Sequence, residues 1–109
     1  MTVENFARLS VFKVTALPLP EKEIDGVYVG DLLSWVMGRA ESGNLWITIM
    51  SNVNVCAVAS LADVSSIILA EGVSLEDEVL KVALEKGINV LTADCSAYQA
   101  AIIASEILK

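Results

Sequence analysis

The feature that most constrains this chain is a repeated unit: an uncharged run of four to six residues, a short polar turn, then a segment with helical spacing. Residues 45–50, 65–69 and 88–91 are such runs. The first alternates little and reads as a strand covered on both faces, as parallel sheets require when helices lie on either side, and the other two read as further strands. Residues 53–61 are small and apolar nearly all round and suit a short helix packed tightly on the sheet. Ser74-Leu75-Glu76-Asp77 has the form of a capping box, and Val79, Leu80, Val82, Ala83 and Leu84 give the following helix an apolar face that stops at Gly87. A last helix, from about residue 95 to 108, carries Ala97, Ala100, Ala101 and Ala104, which permit close packing.

The first third of the chain fits the same scheme. Residues 11–17 are rich in β-branched and aromatic side chains and stop at Pro18 and Pro20, which cannot continue a central strand. Residues 24–29 form a second short β-type run, after which Gly30-Asp31 opens Leu32, Leu33, Val36 and Met37 at helical spacing up to Gly43. A chain of 109 residues has room for one core, and 55% hydrophobic residues with only 6% aromatics make that core one of Val, Ile, Leu and Ala. The expectation is a single α/β domain over residues 1–109, a three-layer α/β/α arrangement with a mostly parallel central sheet and right-handed crossovers.

Charge narrows the partners. Fourteen carboxylates against seven Lys and Arg leave a net charge of −7, whereas a binder that neutralises phosphates needs the opposite balance. Nucleic acid is not expected, and because the cations are scattered singly, neither is an anionic membrane surface. Residues 45–62 lack charge over a length that raises the question of a membrane span, but Ser51, Asn52 and Asn54 interrupt the middle. Glu4 and Arg8 stand where a secretory signal has its basic start and apolar run. Cys56 and Cys95 lie in apolar segments and read as buried thiols in a reducing compartment, so a cytoplasmic protein is expected.

The chain has no histidine, which removes the usual general base, the usual zinc ligand and every Ser-His or Cys-His nucleophile. Two cysteines do not complete a four-thiolate shell. No catalytic residue, metal site or cofactor is expected. In an open parallel sheet, ligands sit beyond the carboxyl ends of the strands, so the polar residues of those turns are the candidate ligand-binding set: Asp31, Asn52, Asn54, Glu71, Thr92 and Asp94. None of these turns holds a cation or a phosphate-binding glycine pattern. Asp31, Asn52, Ser74 and Asp94 each stand just before a helix, where a short polar side chain caps free N–H groups, and capping explains them without a ligand. Trp46 belongs in the core; Trp35 does too unless it is exposed, in which case it marks an interface.

The stretches 30–37 (GDLLSWVM) and 43–49 (GNLWITI), then Asn54 with Ala57-Val58-Ala59, resemble the DRTGG domain family. The likeness runs from about residue 11 to 108. That family is similar to the N-terminal domain of HPr kinase/phosphorylase and occurs as short proteins or joined to CBS and ATP-binding domains. Short relatives are encoded beside iron–iron hydrogenases, and some carry names implying iron–sulfur or hydrogenase activity. The resemblance implies an HPr-kinase-N-terminal-like α/β/α fold, a regulatory role, and self-association through helices as a homodimer. The Asp-Arg and Thr-Gly-Gly elements that name the family are replaced by residues 51–54 (SNVN) and 69–72 (LAEG).

Three functions fit this inventory. The foremost is a non-catalytic regulatory or assembly module that contacts a twin copy or a protein partner in a hydrogenase or other redox complex. The alternative is a small-ligand sensor, for a nucleotide or metabolite, using the strand-end residues. A redox protein comes last, because it needs cluster ligands that the cysteine count does not supply.

Overall fold

The computed structural model describes residues 1–109. Ten elements follow in order: α1 (Val3–Leu9), β1 (Lys13–Ala16), β2 (Val27–Val29), α2 (Leu33–Arg39), β3 (Leu45–Thr48), α3 (Asn54–Ala62), β4 (Ser66–Leu69), α4 (Asp77–Lys86), β5 (Val90–Thr92) and α5 (Ala97–Ile107). They build one five-stranded sheet in the order β1-β5-β4-β3-β2. Four strands are parallel, and β1 closes the far edge antiparallel to β5.

The chain steps from β2 to β3 to β4 to β5 always in one direction, and three right-handed crossovers that advance one way must place their helices on one face. The core shows this. Val36 of α2, Val55, Cys56, Val58 and Ala59 of α3, and Val79 and Ala83 of α4 pack on Trp46, Ile67, Leu69 and Val90. The other face is covered by the terminal helices: Phe6 of α1 and Ala100 and Ala104 of α5 pack on Leu45, Ile47, Ile68 and Leu91. Successive strand residues thus alternate between two dry layers, which is why β3 and β4 are buried at every position. Trp46 is fully buried, and its indole N–H donates to the Gly30 carbonyl at 2.9 Å.

The expected three layers and mostly parallel sheet are present, and two local expectations fail. Ser74 caps nothing: α4 begins at Asp77 with Glu76 at the cap position and no side-chain cap bond. Val73 and Leu75 explain the delay, since both pack against the core and need non-helical chain to reach it. The N-terminal helix α1 was outside the sequence expectation. Its signals are Thr2, whose Oγ1 accepts the Asn5 N–H, and the Val3/Phe6 spacing that buries both side chains.

A buried polar network holds the N-terminal ends of the strands. Asn89, 1% exposed, accepts the Leu19 N–H and donates to the carbonyls of Leu19 and Ser65. Asn44 accepts from the Glu41 N–H and donates to the Asp25 carbonyl. These clamps fix the long connection that carries the chain from β1 at one edge to β2 at the other. No helix of the protein is long and apolar enough to cross a membrane.

Candidate functional site

Because β2 to β5 are parallel, their carboxyl ends and the turns that follow lie along one edge, as the sequence requires. Ligand crevices open along such an edge where neighbouring strands send their chains to opposite faces. Here that occurs once: β4 leads to α4 on one face, and β5 leads to α5 on the other.

The structure closes this crevice with its own backbone. The Glu71 N–H donates to the Cys95 carbonyl at 2.8 Å and the Gly72 N–H to the Ala93 carbonyl at 3.0 Å. Both donors are aimed by left-handed backbone, φ +62° at Glu71 and +73° at Gly72. Such conformations suit glycine and cost an L-residue with a side chain about 1–2 kcal/mol. Glycines therefore fit both positions of the pair that replaces the Gly-Gly of the resembled family, and this chain keeps only the second.

The six candidate residues divide accordingly. Asp31 is a brace, not an N-cap: one carboxylate oxygen accepts from the Thr48 hydroxyl at 2.8 Å and the Ile49 N–H at 3.0 Å, tying the ends of β2 and β3. Leu32 occupies the cap position of α2 without a side-chain bond. Asn52 accepts the Asn54 N–H at 2.9 Å and so shapes the entry to α3, while Asn54 is the exposed first residue of that helix. Glu71, Thr92 and Asp94 come together at the closed crossing of β4 and β5. Asp94 does not cap α5; Ser96 does, accepting the Gln99 N–H at 3.1 Å.

Asp94 lines a cavity, a space of about 240 Å³ with Val11, Phe12, Ala93, Cys95 and Ile103 around it. The walls are mainly apolar, and the volume falls below the roughly 300–1,000 Å³ of small-molecule sites. Cys95 is half-buried rather than buried, whereas Cys56 is buried and its thiol pKa is raised by desolvation, partly opposed by Lys86. The two thiols pack on opposite sheet faces and cannot join in a disulfide or share a cluster within one chain.

The larger exposed feature lies elsewhere. Trp35 on α2 is 53% exposed, with the Arg39 guanidinium stacked 3.8 Å from its ring centroid, and Leu32 and Met37 of the same segment are exposed as well. Trp35 is therefore a surface residue and not part of the core.

The strand order and two dry layers define a three-layer α/β domain with a DRTGG-like fold. No family model and no curated protein matches the chain. Among solved structures it is similar to the CBS and DRTGG domains of the regulatory region of Clostridium perfringens pyrophosphatase, a structure complexed with its activator, diadenosine tetraphosphate. The TM-score is 0.69 at 14% identity, over 94% of this chain and 45% of that one. The chain thus spans a little under half the length of that structure, and the likeness is one of fold.

Proposed function

We propose that this chain is a non-catalytic regulatory module that works by contact with other protein surfaces. One observation carries the reading: the crevice where this architecture holds ligands is closed by backbone hydrogen bonds, while large apolar side chains of α2 face solvent. Asp31 and Asn52 are spent on the fold itself, which leaves few polar groups to orient a small molecule. The sequence resemblance points to a subunit of a hydrogenase or other redox complex as the partner, and to a homodimer as the working state. For a homodimer, α5 offers an open side on which Tyr98 is 75% exposed.

The test is thermal unfolding against nucleotides, divalent metals and common metabolites. A ligand at one hundred times its dissociation constant adds about 2.7 kcal/mol to native stability. That raises the midpoint of a domain this size by roughly ten degrees. The module reading expects no such shift. The sensor alternative draws support from the activator bound in the similar regulatory region and from the cavity beside Asp94. A shift lost in Asp94→Ala with folding intact replaces the first reading with the second.

A further inference from the structure

The sheet ends at β2 on an edge that the N-terminus covers only as far as Ile24, where Thr2 bridges Glu23 and the Ile24 N–H donates to the Met1 carbonyl; Val27–Val29 beyond it has no neighbouring strand. Leu45 N–H donates to the Gly26 carbonyl and Gly30 N–H to the Ile47 carbonyl. By the alternation of a parallel ladder, Tyr28 supplies the rungs between them, and Val27 and Val29 turn their own N–H and C=O groups outward. Proteins usually blunt such an edge with Lys, Pro or a bulge. β2 is short but contains none of these. Beside it runs an open groove of about 870 Å³, with Val27 and Val29 on one wall and Ala101, Ser105, Ile107 and Leu108 from the α5 end of the chain on the other.

We propose that this edge accepts an added strand from a partner protein: an extended segment that is apolar at alternate positions and flanked by Lys or Arg. The inference rests on the contact-module reading and names its surface. Main-chain bonds to Val27 and Val29 supply affinity, and the groove takes every second side chain.

Charge selects the occupant. The edge is bracketed by Glu23 and Asp25 on one side and Asp31 on the other, in a chain of net charge −7. Glu23 is paired with the amino group of Met1, and Asp31 is bonded to Thr48, but Asp25 is exposed and enters no ion pair. Lys109, at the foot of the groove, is also unpaired. A second copy added about a two-fold axis at Tyr28 forms four main-chain bonds, with Val27 opposite Val29. That register sets Asp25 opposite Asp31 of the other copy, and like charges directly opposite are destabilising. A strand with cationic flanks meets the same acids favourably.

The experiment uses the full chain, short fluorescent peptides of alternating Val and Thr with Lys or Glu flanks, and a version of the Lys-flanked peptide N-methylated along its bonding edge. Anisotropy gives affinity, and amide exchange reports on Val27 and Val29. The Lys-flanked peptide should bind at least about tenfold more tightly than the Glu-flanked one, slow exchange at Val27 and Val29, and lose binding on N-methylation. Asp25→Lys should reverse the flank preference, and Val29→Lys should weaken all binding, both with unchanged unfolding midpoints. Equal affinity for both flanks, no peptide that protects these amides, or a free protein already dimeric with both amides protected overturns the proposal. Peptide failure with Trp35-dependent partner binding intact sinks the edge and spares the module reading; a metabolite that stabilises the fold sinks the module reading itself.

Discussion

Glu71→Gly should make the protein more stable. The residue is exposed and sits at φ +62°, where an L side chain costs about 1–2 kcal/mol that glycine does not incur. Glycine gives back about 0.5–1 kcal/mol through the freer unfolded chain, so the expected net gain is about 0.5–1 kcal/mol. For a domain of this size that is a rise of about 2–6 °C in Tm. Gly72→Ala is the matched control. Its φ is +73°, and an added Cβ meets nothing within 4 Å, so its loss, about 1 kcal/mol, reads the backbone term alone. Urea denaturation with a common slope measures both. If Glu71→Gly loses 1 kcal/mol or more while Gly72→Ala behaves as described, the Glu71 side chain itself holds the crossing and the strain reasoning is refuted.

Asn89→Ala removes three hydrogen bonds, stranding the buried Ser65 carbonyl and part-buried backbone groups of Leu19, so a loss of about 2–3 kcal/mol in urea unfolding is expected. Trp35→Ala, at a largely exposed site, should stay within about 1 kcal/mol of wild type in the same assay while weakening partner binding. Cys95 should react with a thiol reagent well before Cys56, whose burial raises its pKa and blocks access, and mass spectrometry of the native protein resolves the order. The Asp63 carboxylate is held below its ordinary pKa by the Ser42 hydroxyl first and by Lys22 second. Its contribution is present above the unfolded value of about 3.9 and is lost as pH falls through the lower folded value. Wild type should therefore lose more stability than Asp63→Asn between pH 5 and about 3.

Most of the sheet was legible because β3, β4 and β5 are buried on both faces, and such strands leave an unbroken apolar signal. Gly87 likewise marked the end of α4, where it adopts φ +73°. Strand order was not legible, since nothing local in residues 13–16 says that they pair with residues 90–92 across most of the chain. The candidate site was legible as an edge but not as a state. Composition placed Asp31, Asn52, Asn54, Glu71, Thr92 and Asp94 at strand ends, yet whether a turn is open depends on backbone bonds between turns distant in sequence, such as Glu71 to Cys95. Which polar residue caps a helix depends on such distant contacts as well. Asp31 and Asp94 precede helices, but the sheet engages Asp31 first and Ser96 stands two residues closer to the N–H groups of α5. The role of Asn89 is not legible, because a buried asparagine has no sequence signature that separates it from a surface one.

Native-state hydrogen exchange tests the central claim most directly. The Glu71 and Gly72 amides should be protected, opening only with a large part of the fold, while Val27 and Val29 at the free edge exchange as exposed amides do. Free exchange at Glu71 and Gly72 would show that the β4–β5 crossing opens under native conditions, contradicting the closed crevice and restoring the ligand-sensor alternative.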